Sequence, residues 1–142
     1  MPGIPTEVIQ HNMNVNPKKK PMQQRRIAFA LERDQAVREE VAKLLTVGFI
    51  QEVYYPDWLV NVVLVKKANG KWRMCVDFTN LNKACPKESF HLQRIDQLVD
   101  SIAGHKLLTF MDTFSGYNQI KMIEEDQEKT TFITSKGSIA IK

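Results

Sequence analysis

Asp112 ends an apolar run, Leu107-Leu108-Thr109-Phe110-Met111, and precedes Thr113-Phe114-Ser115-Gly116-Tyr117. An isolated Asp after such a run ordinarily serves as a turn or cap residue. Here a tight Ser-Gly turn follows, an aromatic ring stands five residues on, and a basic hairpin lies upstream. That grouping points to a divalent cation and a nucleotide. Metal-dependent phosphoryl transfer, however, needs more than one anionic ligand. These 142 residues offer no obvious second.

The basic hairpin is the clearest local pattern. Residues 61–67 and 71–78, rich in valine and aromatics, flank Ala68-Asn69-Gly70. Asn-Gly is the preferred centre of a two-residue hairpin turn, which predicts Ala68 opposite Lys71 and Lys66 opposite Arg73. That register would place Lys66, Lys71 and Arg73 on one face, with Lys67 and Trp72 on the other. Three cations on one face of a projecting ribbon can grip a triphosphate, the arginine with forked geometry. Taken by itself, the hairpin reads first as an edge kept soluble by its charges.

The other elements must position these groups. Residues 1–33 hold four of the six prolines and little apolar periodicity, and they read as an extended or disordered basic leader. Asp34 can cap a helix to about Val47, with Val37, Val41, Leu44 and Leu45 inward and Gly48 as its stop. A short strand follows at 49–53, then a turn at 54–57. Residues 86–93 form a loop. A helix near 95–103 would bury Ile95, Leu98, Val99 and Ile102 and end at Gly104. After it come a strand to Asp112, a turn or helical segment at 114–118 and a strand at 119–123. Glu124-Glu125-Asp126 would start a helical turn, and 130–134 with 138–141 would pair around Ser135-Lys136-Gly137. The fold class is α+β.

The length suits about one domain. No apolar run reaches the roughly 20 residues of a bilayer span, and the N-terminus lacks the pattern of a signal peptide. Cys75 and Cys85 have no metal-ligand spacing and read as reduced thiols of an intracellular, cytoplasmic or nuclear protein. The net charge is only +4. Its distribution is uneven, with Lys18, Lys19, Lys20, Arg25, Arg26 and Arg33 in one cluster and Lys66, Lys67, Lys71 and Arg73 in another. Such patches fit a polyanion partner or a solvated basic surface.

In order along the chain, these segments closely resemble the reverse transcriptase of gypsy-class long-terminal-repeat retrotransposons. The matching runs are Val60 to Lys67, Asn69 to Phe78 with Leu81-Asn82-Lys83, Ile95 to Asp100, Phe110 to Asp112, Ser115 to Ile120 and Asp126 to Thr130. His11-Asn12-Met13-Asn14-Val15 resembles the stretch joining protease to polymerase in such elements. The likeness implies part of a right-hand polymerase fold, fingers plus an incomplete palm, with the thumb absent. Residues 34–87 would be the first part of the fingers, 88–119 the first palm segment, and 120–142 the return into the fingers.

The resemblance also implies roles. Asp112 would be the catalytic carboxylate binding Mg²⁺, assisted by the Thr113 carbonyl. One metal would activate a primer 3′-hydroxyl and the other would steady pyrophosphate. Lys66, Arg73, Ser115, Gly116 and Tyr117 would hold the deoxynucleotide, Tyr117 excluding a 2′-hydroxyl. Asp77 and Asn82 would contact the template. Implied partners are an RNA or DNA template-primer, a deoxynucleoside triphosphate and the remainder of a polyprotein, with no membrane.

Departures from the family pattern limit what is expected. His91 and Gln93 stand where the family usually has proline, and Ile139 and Ile141 where it often has aromatics. The Tyr-x-Asp-Asp motif, bearing the other two catalytic carboxylates, does not occur here. Glu124, Glu125 and Asp126 correspond to a surface turn and would not replace them. The expectation is therefore a truncated reverse transcriptase domain, inactive alone. The alternative is a non-catalytic nucleic-acid-binding remnant.

Overall fold

The computed structural model describes residues 3–87, 89, 91–109, 111–113 and 116–142. Its centre is a five-stranded sheet built from β1 (Ile50–Glu52), β2 (Val60–Lys66), β3 (Trp72–Val76), β4 (Phe132–Thr134) and β5 (Gly137–Ile141). The spatial order is β1-β5-β4-β2-β3. β2 and β4 are parallel, and the other neighbours are antiparallel. A parallel pair demands a long crossover. Here the crossover from β3 to β4 carries α2 (Thr79–Ala84), α3 (Ile95–Ile102), the Asp112 segment and α4 (Glu124–Gln127).

One face of the sheet is covered by α1 (Leu31–Thr46). Val37 and Val41, four apart on one helix face, join Ile50, Val60, Val62, Phe132 and Ile139 in the main core. The expected apolar stripe is thus confirmed, with Leu44 and Leu45 partly buried beside it. The helix starts three residues before the expected cap. Asp34 lies in its first turn and accepts a hydrogen bond from Arg38 Nε at 2.7 Å. With its carboxylate committed to that neighbour, Asp34 does no capping. The stop at Gly48 holds: its φ of +75° is the left-handed conformation glycine tolerates.

The hairpin forms, but in a different register. Lys67 N–H donates to the Lys71 carbonyl, Gly70 N–H to the Lys67 carbonyl, and Gly70 has φ +79°. This is a three-residue loop, a turn closed by a left-handed glycine, in place of the expected two-residue one. Lys66 therefore faces Trp72 and Val65 faces Arg73. A one-residue slip exchanges faces. Lys67, Lys71 and Arg73 share one side of the ribbon, while Lys66 joins Trp72 on the side of α1.

The leader is extended as expected, and it is docked. His11 N–H donates to the Lys121 carbonyl at 2.8 Å and Ile123 N–H to the His11 carbonyl at 3.0 Å. Further along, Gln24 N–H bonds the Leu59 carbonyl at 2.7 Å. Met13 and Val15 pack on a second core cluster of Trp58, Leu81 and Ala84. Buried Asn61 completes the attachment, donating to the Arg25 carbonyl and accepting from Ile27 N–H. These partners tie the leader to the rest of the fold at residues 11, 13, 15, 24, 25 and 27.

Three further expectations fail. The stripe Ile95, Leu98, Val99 and Ile102 is between 42% and 77% exposed, because no described element packs on that face of α3. Leu107, Leu108, Thr109, Met111 and Asp112 belong to no strand, and Phe110 lies outside the described residues. An apolar run needs a neighbouring strand to pair with, and none of the described strands runs beside it. The strand expected at 119–123 reduces to a single bridge between Met122 and His11. No described helix is long and apolar enough to cross a membrane.

Candidate functional site

Asp112 and Thr113 lie exposed in the crossover between α3 and α4. The chain then turns back through a short 3-10 turn at Gly116–Asn118. A Cβ on Gly116 would sit 3.3 Å from the Thr113 methyl carbon. The missing Cβ leaves Gly116 beside the Thr113 side chain without crowding it. Opposite stands the end of the sheet, where Lys142 N–H bonds the Phe49 carbonyl at 2.9 Å.

Between these walls is a cleft of about 740 Å³, lined by Asp112, Thr113, Gly116, Asn118, His11 and Lys142 among others. Three expected site residues, Asp112, Thr113 and Gly116, are thus brought together. Ser115 and the Tyr117 side chain lie outside the described residues. Lys66 and Arg73 do not line this cleft; they sit on the separate ribbon, on opposite faces. His11 and Asn118 were missed as site residues. His11 stands about a hundred positions before Asp112, and only the leader's docking carries it there.

Lys66 has a structural occupation of its own. Its ammonium lies 5.8 Å from the Trp72 ring centroid, and the Arg33 guanidinium lies 5.1 Å from it. Trp72 Nε1 donates to Glu32 at 3.1 Å. The ring therefore ties the ribbon to the first turn of α1.

Of the two expected template residues, Asp77 lies just before α2 and Asn82 lies within it. Asp77 accepts from the Thr79 hydroxyl at 2.5 Å and from Thr79 N–H at 3.1 Å. These bonds hold its carboxyl below the usual carboxylate value. Asn82 is exposed and lines a groove against the leader. Asp126 is not the surface residue expected of its segment. It is 2% exposed, ion-paired with Lys129 and bonded by Met13 N–H at 2.6 Å.

The donor set limits what metal could be held. Asp112 and the Thr113 carbonyl offer hard oxygens suited to Mg²⁺, which keeps several waters and needs few carboxylates. Among the described residues no three His, Cys, Asp or Glu side chains converge on a metal-sized point. These donors are of the chemical kind that Mg²⁺ takes. They do not fit two adjacent ions, whose repulsion requires bridging carboxylates.

The same α+β architecture occurs in the prototype foamy virus protease-reverse transcriptase. The two structures align with a TM-score of 0.78 at 20% identity, over 93% of this chain and 18% of that one. Residues 65–142 match the reverse transcriptase (RNA-dependent DNA polymerase) family. The chain belongs to that family. Among its relatives is the retrovirus-related Pol polyprotein of transposon 412 from Drosophila melanogaster, 37% identical over 68 residues, 48% of this chain and 6% of the relative. The corresponding polyprotein of transposon gypsy, from the same organism, is 31% identical over 106 residues, 71% of this chain and 10% of the relative. The chain thus spans a small part of the polyproteins it matches. Its family is that of RNA-directed DNA polymerases, enzymes that work with divalent metal.

Proposed function

We propose that this chain is the fingers and first palm segment of a retrotransposon reverse transcriptase, carrying the nucleotide-binding part of its polymerase site. The observation that supports this most is the convergence of Asp112, Thr113 and Gly116 on one cleft. Asp112 and the Thr113 carbonyl would hold one Mg²⁺, which would neutralise phosphate charge. Backbone N–H groups at Ser115 and Gly116 would meet the triphosphate, the missing Cβ allowing close approach. Tyr117 would select deoxynucleotides by excluding a 2′-hydroxyl. Lys66 and Arg73 sit on the separate ribbon, so holding the phosphates would require the ribbon to close over the cleft and Lys66 to leave the Trp72 ring.

The chain by itself does not polymerise in this reading, because one fixed carboxylate cannot clamp two metal ions. Purified protein should bind a fluorescent deoxynucleoside triphosphate in the presence of Mg²⁺, and Asp112→Asn should remove the metal-dependent part. Primer extension should stay at background. Extension that disappears in Asp112→Asn would overturn the inactivity. Nucleotide binding indifferent to both Mg²⁺ and Asp112→Asn would overturn the site.

A further inference from the structure

We propose that the turn carrying Tyr54 and Tyr55 docks an extended, arginine-bearing peptide segment of a partner protein. The turn borders a cleft of about 620 Å³ lined by Glu52, Tyr54, Tyr55, Asp57 and Lys136 among others. A cleft of that size holds a long side chain with its flanking backbone. It lies at the end of β1 and the start of β5, whereas the Asp112 cleft meets the same two strands at Phe49 and Ile141. The two sites are therefore at opposite ends of the β1–β5 pair.

The fold displays the two rings on a pinned turn. Val53, Pro56 and Trp58 are buried, while Tyr54 and Tyr55 point outward, 77% and 98% exposed. Val53 N–H donates to the Ser138 carbonyl at 2.9 Å and Leu59 N–H to the Met22 carbonyl at 3.1 Å. Gln23 Nε2 donates to the Pro56 carbonyl at 2.8 Å. Tyr55 has φ +56°, and among the described residues no other non-glycine residue has a positive φ. That conformation disfavours a tyrosine, so folding alone would be better served by glycine. Aromatic anchors already held in place bind with little ordering cost.

The chemistry of the lining selects the partner. Two carboxylates, Glu52 and Asp57, stand with one ammonium, Lys136. Among the described residues none of these three is in an ion pair. A guanidinium suits both features, because its plane stacks on tyrosine faces and its fork bonds a carboxylate. The acids repel phosphate, which disfavours nucleic acid and anionic lipid at this cleft.

An extended backbone fits the neighbouring edge. β1 has β5 on one side and no described strand on the other. Phe49 and Val53 bond across to β5, so the alternation of an antiparallel ladder turns the backbone groups of Ile50 and Glu52 away from it. Extended peptides add to such edges, with side chains entering adjacent pockets.

Anisotropy of a short fluorescein-labelled peptide alternating arginine and threonine tests the site on the full chain. Nucleotide and metal are left out, so the result is independent of the Asp112 cleft. The pair Glu52→Gln, Asp57→Asn should weaken binding about tenfold. Tyr55→Gly should weaken it as much while the melting midpoint holds or rises, because glycine suits φ +56°. No binding, or binding indifferent to both variants, would overturn the proposal. Nitration of Tyr54 and Tyr55 by tetranitromethane is a second measurement, made on the unaltered chain. The peptide should slow it, and slowing by a single-stranded oligonucleotide but not by the peptide would also overturn the proposal.

Discussion

The carboxylate of Asp126 accepts the backbone N–H of Met13 at 2.6 Å, joining positions 113 residues apart. Its other oxygen is paired with Lys129. One buried acid thus fastens the leader to the segment that returns into the sheet.

Removing that acid should loosen the leader. Asp126→Ala strands the Met13 N–H and the Lys129 ammonium, and a broken buried pair costs about 3 kcal/mol. Urea unfolding should show that loss. Hydrogen exchange at Met13 should accelerate, while exchange in α1 follows only the global change.

The hairpin register can be trapped covalently. Val65 and Arg73 are directly opposite, and cysteines facing each other in an antiparallel pair can reach disulfide geometry. Val65→Cys with Arg73→Cys should cross-link under mild oxidation in a background lacking Cys75 and Cys85. Lys66→Cys with Arg73→Cys should not, because those side chains point to opposite faces.

Asp77 carries a pH dependence. Bonds from the Thr79 hydroxyl and N–H favour its ionised form in the fold, so its carboxyl titrates below the ordinary 3.8. A lowered folded value means stability that is full above the unfolded value and lost as pH falls through the folded one. The gap in thermal midpoint between the unaltered chain and Asp77→Ala should be constant at neutral pH. It should narrow below about pH 4. A gap that widens in acid would contradict the assignment.

Gly116→Ala tests the approach of the turn to Thr113. The added methyl would meet the Thr113 side chain at 3.3 Å. Thr113 is exposed and can shift, so the stability cost should stay below about 1 kcal/mol. Nucleotide binding should fall by about tenfold, because the backbone can no longer sit as close to phosphate. Calorimetric titration beside a melting curve separates the two effects.

Much of the local structure was legible from residue type and spacing. Valines and leucines four apart specify α1, and Gly48 ends it through its tolerance of positive φ. β-Branched runs around Asn69-Gly70 specify a hairpin. These are consequences of short-range sterics and of side-chain periodicity, which a one-dimensional pattern contains. The hairpin's face assignment was not legible, because two- and three-residue loops share the same Asn-Gly and differ in where the ladder begins.

Tertiary structure alone decided the rest. It placed His11 in the cleft of Asp112 and buried Asp126 against Met13, pairings that only the path of the crossover between parallel strands can create. It also left the apolar face of α3 open, since amphipathic spacing says that a helix has a side to bury and never what stands opposite it. Periodicity reports the preference of a segment; contact depends on where distant segments are brought by the closing of the sheet.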